Sequence, residues 1–443
     1  MLKSLRSRFR CCLALLAAGL SLAAPLAAQA ADAPSAAQVQ VSIARQARGE
    51  FRNFYAYRAS PLWIARDGTF DPGAKALLRL VQTAEYDGLR PDELGGAELA
   101  TAISEAERRK SPANLARAEL ALSNALVAYI DAMLSQASGS EMIYEHDVLR
   151  PIRPTALTIL RAAEAGSMEG YVTEMQWMHP MYAQVRRQLI AGEPGAPVRQ
   201  AALASLERIA AIPSPPWSRH VVIDAASARL WMYEGGRVVD SMRVVVGKPD
   251  TQTPIMSGYI RHAVLKPYWN VPAHLVRRTI APGVLSQGVS YLRTRGYEVL
   301  SDWSDTPKRL NPARIDWRAV RDGTLEVRVR QAPGAANAMG QVKYEFPNAL
   351  GIYLHDTPDK DLMLEDARQF SNGCVRLEDA ERLGRWLLEG ALPEVDEPEE
   401  RVDLRQPVPV YITYVTVHAE GGQLALGPDP YGRDGGPALA QLQ

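Results

Sequence analysis

Cysteine is scarce in this chain of 443 residues, which contains only Cys11, Cys12 and Cys374. The first two lie in an N-terminal segment that we expect to be removed, and the thiol that would then remain has no partner for an intramolecular disulfide. The seven histidines show no ligand spacing such as H-x-x-x-H, which argues against a metal site. A nucleotide-binding glycine pattern is also absent, so we expect the protein to work without a cofactor.

Long apolar runs are confined to the N-terminal end. There, four cations precede an uncharged apolar stretch from about residue 11 to residue 28, and Ala28-Gln29-Ala30 supplies a small-x-small cleavage site. The stretch is short for a bilayer span and is interrupted by Gly19 and Pro25, so it predicts a cleaved signal peptide over residues 1–30 rather than an uncleaved anchor. We therefore expect a periplasmic or secreted protein that is not integral to a membrane.

Neither sign of charge dominates. The chain has 50 Lys and Arg residues against 50 Asp and Glu residues, and loss of the N-terminal cations would leave it mildly acidic. Nucleic-acid binding calls for clustered cations on a basic domain, so we do not expect nucleic acid as a partner. The ~410 residues that would remain are enough for two or three domains with cores of ordinary size.

The first half of the chain has helical periodicity. Residues 40–210 are rich in Ala, Leu, Arg and Glu, and the clearest helix begins at Ser111-Pro112, where a capping residue precedes a proline suited to the first turn. We predict a helical domain over residues 31–192. Two proline-rich stretches that enclose a short helical piece then indicate a linker over residues 193–216.

The second half alternates in the manner of β-strands. Residues 220–246 form the pattern of a β-meander with a Gly235-Gly236 turn, and a final strand is expected over 408–417. We predict an α+β protein whose second domain, residues 217–418, is mainly β and is followed by a C-terminal tail over 419–443. The segment 274–330 lies between strands and is long enough to be either an inserted lid or a surface decoration.

The remaining thiol lies close in sequence to a histidine. Cys374 stands in the run SNGCVR, and His355 lies nineteen residues upstream in the run YLHDTP. A free cysteine has a pKa of about 8.5, so it needs a neighbouring imidazole to become a useful nucleophile near neutrality. The pair favours Cys374 as nucleophile and His355 as general acid and base. The alternatives are a small buried thiol and a core histidine.

Three neighbours of this pair are further candidates. Gly373 suits a tight turn, and the backbone amides of Gly373 and Cys374 are the expected donors to an oxyanion. The Tyr353 hydroxyl either contacts the oxyanion or substrate, or the ring serves only in packing. Arg376 either holds a substrate carboxylate or pairs with an internal acid such as Asp356.

The runs YLHDTP and SNGCVR resemble the signature of the L,D-transpeptidase (YkuD-type) catalytic domain. Further matches stand in the expected order over roughly residues 217–418: Val246-Gly247-Lys248-Pro249, Thr253-Pro254, Tyr268-Trp269-Asn270-Val271-Pro272, the stretch 333–340 and Phe346-Pro347-Asn348. The N-terminal half is similar to the scaffold domain of the multidomain, YcbB-like murein L,D-transpeptidases. The residues that carry this second likeness are Phe54-Tyr55, Pro61-Leu62-Trp63, Tyr86-Asp87-Gly88-Leu89 and His179-Pro180-Met181-Tyr182.

The resemblance implies a peptidoglycan L,D-transpeptidase that forms 3→3 cross-links between stem peptides through a Cys374 thioester and is acylated by carbapenems. The same thioester could instead pass to water, as in an L,D-carboxypeptidase or endopeptidase, or to an outer-membrane protein. A non-catalytic cell-wall binding protein is the other class, but a binder has no need of the Cys/His pair. The implied partners are stem peptides and enzymes of cell-wall synthesis.

The chain departs from that family at two points. Asn372 stands where histidine is frequent, and no peptidoglycan-binding repeat is evident between the two halves. Substrate docking must then rely on the catalytic domain itself. Its candidate substrate-binding residues are Arg376, Asn372, Ser371 and Trp269.

Overall fold

The computed structural model describes residues 34–137, 139–214 and 219–434. The predicted signal peptide over residues 1–30 lies outside these ranges. Within them, no helix combines the length and the apolar character that a membrane crossing needs.

The first domain is helical, as predicted. Its helices are α1 (Ala36–Gln46), α2 (Gly49–Ala56), α3 (Pro72–Gln82), α4 (Gly96–Arg108), α5 (Pro112–Ala137), α6 (Ala156–Glu164), α7 (Met168–Thr173), α8 (Pro180–Gly192) and α9 (Ala196–Ala210).

Helix α5 organises this domain and begins where the sequence predicts. Ser111 caps it by accepting the Asn114 amide at 3.2 Å, and proline takes the first helical position. Leu115, Leu122 and other apolar residues at helical spacing are fully buried. This apolar face packs against the surrounding helices.

The second domain is mainly β. Its strands are β1 (Ile143–Tyr144, contributed by the chain after α5), β2 (His220–Asp224), β3 (Arg229–Glu234), β4 (Arg237–Gly247), β5 (Met256–Leu265), β6 (Trp269–Val271), β7 (Tyr297–Leu300), β8 (Arg328–Gln331), β9 (Val342–Glu345), β10 (Leu354–His355), β11 (Gln369–Ser371), β12 (Val375–Leu377) and β13 (Glu400–Thr413). The strands β14 (Val417–Glu420) and β15 (Gln423–Leu426) form a separate hairpin after this domain.

The large sheet follows the order β1-β5-β13-β2-β3-β4-β12-β10-β9, and β9 also pairs with β5, which closes the path of strands into a ring. The predicted meander is β2 to β4, and its turn at Gly235 and Gly236 has positive φ at both residues, as a tight hairpin requires. Helix α14 (Ala380–Leu388) packs its apolar face on the core of this sheet.

The segment between β5 and β9 is a folded subdomain. Strands β6, β8 and β7 form a separate three-stranded sheet, accompanied by the helices α10 (Ala273–Leu275), α11 (Ala281–Gln287), α12 (Ser290–Thr294) and α13 (Trp317–Asp322). Residues such as Val284, Trp317 and Val329 form a hydrophobic cluster distinct from the other two. We call residues 269–331 the inserted subdomain; it contains the predicted lid segment 274–330.

Two predicted boundaries differ from the structure. The predicted linker 193–216 contains the 15-residue helix α9, and Leu206 and Ile209 of α9 are buried in the helical core. The expected tail over 419–443 includes strand β15 and part of β14, and Val417 and Leu424 of that hairpin join the same core. In both segments, apolar side chains find burial in the helical domain, so these segments belong to it.

Candidate active site

Cys374 and His355 lie on one face of two adjacent parallel strands. Strand β10 pairs with β12, with Leu354 opposite Val375 and His355 opposite Arg376. Because side chains alternate along a strand, the buried Leu354 and Val375 point to the core while His355, Arg376 and Cys374 share the opposite face. The strand register thus places Cys374, which directly precedes β12, on the same face of the sheet as His355.

His355 is held as a neutral imidazole. It is 5% exposed, and its Nδ1 lies 2.6 Å from the Asp356 carbonyl oxygen. A carbonyl only accepts, so Nδ1 carries the hydrogen and Nε2 keeps its lone pair. Burial, and then the positive charge of Arg376, lower the pKa of His355 to about 4. The ring is therefore an unprotonated base near neutrality.

Cys374 is a partly buried free thiol. Its Sγ lies 3.7 Å from the Gly351 carbonyl oxygen. Burial raises the pKa of Cys374, against the opposing effects of a hydrogen bond from the Tyr353 backbone and of the Arg376 charge. The raised pKa of the thiol and the lowered pKa of the imidazole each favour the uncharged form of the group.

The turn that presents Cys374 is internally bonded. The buried Ser371 hydroxyl donates to the Cys374 carbonyl at 2.5 Å and accepts the Gly373 amide at 3.1 Å. Gly373 has a φ of 115°, a conformation that favours glycine. The Gly373 amide, a predicted oxyanion donor, is thus occupied by Ser371. The Cys374 amide, by contrast, donates to no group among the described residues.

Arg376 adds positive charge beside both reacting groups. Its Nη1 lies 3.3 Å from Asp359, and its side chain is 19% exposed. The internal acid suggested from the sequence, Asp356, instead accepts the Lys360 ammonium at 2.6 Å and the Gln341 amide at 2.9 Å. Arg376 therefore has an acidic partner, although a different one from that suggested.

The remaining candidates are more dispersed. Tyr353 is half-buried beside Lys343, whose Nζ lies 5.8 Å from the centroid of the tyrosine ring. Asn372 is exposed at the turn. Trp269 lies in the inserted subdomain, where its ring is 6.4 Å from that of Tyr297. The structure thus places Cys374, His355, Gly373, Ser371, Arg376 and Tyr353 on β10, β11 and β12 or on the residues next to these strands, and places Trp269 on a separate sheet.

Sequence reasoning assigned no role to Thr253, whose hydroxyl donates to the Gly373 carbonyl at 2.8 Å. The sequence did contain a hint, because Thr253-Pro254 is one of the motifs that match the L,D-transpeptidase family. No group of His, Cys, Asp and Glu among the described residues is arranged to hold a metal ion.

The chain matches known families in both halves. Residues 218–412 match the model of the L,D-transpeptidase catalytic domain, YkuD, and residues 49–189 match the model of a scaffold domain. A curated Haemophilus influenzae protein named "Putative L,D-transpeptidase" is 28% identical over 294 residues, which make up 64% of this chain and 58% of the relative. The chain thus spans less than two thirds of that relative's length.

Two solved structures are also similar. One is an L,D-transpeptidase from Mycobacterium smegmatis, with 12% identity, a TM-score of 0.22 and coverage of 44% of this chain and 58% of that chain. The other is a cysteine-to-serine mutant of an Enterococcus faecium L,D-transpeptidase, with 10% identity, a TM-score of 0.20 and coverage of 63% and 98%.

Proposed function

From the chain's membership of the L,D-transpeptidase family, in the branch that joins the catalytic domain to a scaffold domain, we propose that it forms 3→3 cross-links in peptidoglycan through a thioester on Cys374. The observation that carries the proposal is the shared face of Cys374 and an unprotonated His355. A nucleophile and a base in this relation are the minimum that acyl transfer requires.

The first half-reaction acylates the enzyme. Nε2 of His355 accepts the thiol proton as Sγ of Cys374 attacks the carbonyl carbon of the third stem residue, and the carbonyl oxygen becomes an oxyanion. The Cys374 amide is the donor available to that oxyanion, and one such donor is typically worth about 3–4 kcal/mol. When the intermediate collapses, the C–N bond breaks and His355 returns the proton to the departing amine of D-alanine.

The second half-reaction releases the product. The side-chain amine of a second stem peptide attacks the thioester carbon and passes a proton to His355. The C–S bond breaks, and the sulfur takes the proton back from the imidazole. Atoms and charge balance without a cofactor, because the amide consumed in the first step is replaced by the amide formed in the second.

Water competes with the amine for the thioester, so a transferase benefits from a cover over the site. We propose that the inserted subdomain is this cover. Its own hydrophobic core allows it to move as a body, and Arg277 and Arg278 supply cations for a carboxylate-bearing peptide.

The site of action would be the periplasm, with stem peptides as substrates and enzymes of cell-wall synthesis as partners. The deciding experiment incubates the purified protein with disaccharide-tetrapeptides and reads the product masses. Cross-linked dimers with loss of D-alanine support the proposal. If the only products are trimmed monomers, that is, uncross-linked peptides that have lost D-alanine, the protein is a carboxypeptidase. Unchanged substrate would contradict both the transpeptidase and the carboxypeptidase function.

A further inference from the structure

The turn that carries Cys374 is held by a buried side chain that the proposed reaction does not use. Thr253 is 1% exposed; its hydroxyl donates to the Gly373 carbonyl at 2.8 Å and accepts the Gly247 amide at 2.8 Å. The Gly373 carbonyl and the Cys374 N–H belong to one planar peptide group and point in opposite directions. By holding the carbonyl, Thr253 sets the direction of the N–H that we assign to the oxyanion.

A tyrosine near the other end of the chain fixes Thr253 in turn. The Tyr431 hydroxyl donates to the Gly247 carbonyl at 2.9 Å and accepts the Thr253 amide at 3.2 Å. It therefore joins both ends of the loop 247–253. That loop is tightly folded, since a Cβ atom added at Gly247 would lie 2.1 Å from the Thr251 carbonyl oxygen.

Tyr431 is connected to the helical domain through Tyr414, a core residue of the β domain. Its ring stacks on Tyr414 with centroids 5.2 Å apart, and its amide donates to the Tyr414 hydroxyl at 2.8 Å. The Tyr414 carbonyl in turn accepts from Arg208 of α9 at 3.2 Å. Two residues after Tyr431, Arg433 donates to Gln252 at 3.1 Å and to Glu141, which follows α5, at 2.9 Å. A continuous path of contacts thus runs from the helical domain to the loop under the nucleophile turn.

We propose that Thr253 and Tyr431 are positioning residues for acyl transfer, and that Tyr431 is the contact through which the helical domain keeps the nucleophile turn in its reactive geometry. The inference rests on the proposed role of Cys374. Both residues act through the Gly373 peptide rather than on the sulfur. Their loss should therefore misdirect the oxyanion donor and leave the thiol itself reactive.

Two reactions of the same thiol separate these effects. Acylation by a carbapenem passes through an oxyanion, whereas alkylation by iodoacetamide is a displacement that forms none. We expect Thr253→Val to slow acylation by about 10- to 100-fold, the scale of a misplaced catalytic group, and to change the alkylation rate by less than about twofold. Thr253→Ser restores the hydroxyl and should return acylation to within about threefold of wild type.

Tyr431→Phe tests the connection to the helical domain with the loss of one oxygen atom, a change that keeps the stacked ring. We expect a fall in acylation of about 5- to 20-fold, again without a matching fall in alkylation. Tyr144→Phe is the matched control, because its hydroxyl also donates to a backbone carbonyl, that of Ala211 at 2.7 Å, outside the path. It should acylate at the wild-type rate.

Each variant is assayed below the onset of its own thermal unfolding. Wild-type acylation in both Thr253→Val and Tyr431→Phe, or an equal fall in acylation and alkylation, would overturn the positioning roles. A wild-type protein that is alkylated at Cys374 but never acylated would refute the acyl-transfer function instead. The two failures are therefore distinguishable.

Discussion

His179 and His220 face each other across the boundary between the helical and β domains, with their Nε2 atoms 3.0 Å apart and both rings buried. Nδ1 of His179 accepts the Met181 amide at 3.3 Å, so the hydrogen of the neutral ring lies on Nε2 and is donated to His220. Burial, and then the charge of His220, hold the pKa of His179 well below its usual range. The contact between the domains thus depends on an uncharged histidine.

We expect this contact to lose stability in mild acid. Below about pH 6.5 the unfolded chain binds a proton at His179 that the folded chain excludes, so stability falls with decreasing pH by up to about 1.4 kcal/mol per pH unit. Urea unfolding between about pH 7.5 and about pH 5 measures this slope. His179→Gln should make the slope shallower, leaving the contribution of His355, whose pKa is also lowered. His418→Gln, at an exposed histidine of β14, should keep the wild-type slope. Equal slopes in wild type and His179→Gln would contradict the assignment.

Cys374→Ala should abolish both cross-linking and carbapenem acylation while leaving the fold intact, because Cys374 is the only free cysteine among the described residues. Intact mass should show one carbapenem adduct on the wild-type protein and none on the variant. Cross-linking by Cys374→Ala at close to the wild-type rate would rule out a thioester on this residue.

His355 should give the reaction an unusually low acid limit. Because its pKa is lowered to about 4, the base stays unprotonated, and acylation should persist until the pH approaches that value. Arg376→Gln removes one cause of the shift, so the acid limit should move to higher pH. His355→Ala should lose about 10²- to 10⁴-fold in rate. A loss of rate below tenfold would indicate that His355 is a core residue without a catalytic role.

The reaction should need neither metal nor nucleotide. Cross-linking is expected to proceed at its full rate in a strong chelator and without ATP. Loss of activity in chelator that one particular metal ion restores would require a different mechanism.

The inserted subdomain should protect the thioester from water. Replacing the middle of residues 274–330 by a short Gly/Ser loop should leave carbapenem acylation measurable and shift turnover from dimers toward trimmed monomers. A folded variant with an unchanged ratio of dimers to trimmed monomers would identify the subdomain as surface decoration.

Short sequence patterns predicted those parts of the structure that depend on a few neighbouring residues. The cap at Ser111, the Gly235-Gly236 turn and the apolar stripe of α5 are each encoded within a few residues, and the structure has all three. The motifs around Cys374 and His355 contain the paired strands β12 and β10, and the catalytic roles of the two residues stay predictions.

The contacts that sequence reasoning missed join distant segments. Nothing near Tyr431 indicates that its hydroxyl meets Gly247 and Thr253. Strand β15 is short and half of it is exposed, so its alternation is too weak to reveal that Leu424 completes a helical core. Such contacts depend on how separate elements pack, which no local pattern records.

The hairpin β14–β15 also has a consequence for the order of folding during synthesis. Val417 and Leu424 belong to the core of the helical domain, so that domain cannot complete its interior until the strands of the large sheet and this hairpin have been synthesised. A premature stop codon after the last strand of the large sheet would leave every catalytic candidate encoded. The first structural effect would be a loss of packing in the helical domain.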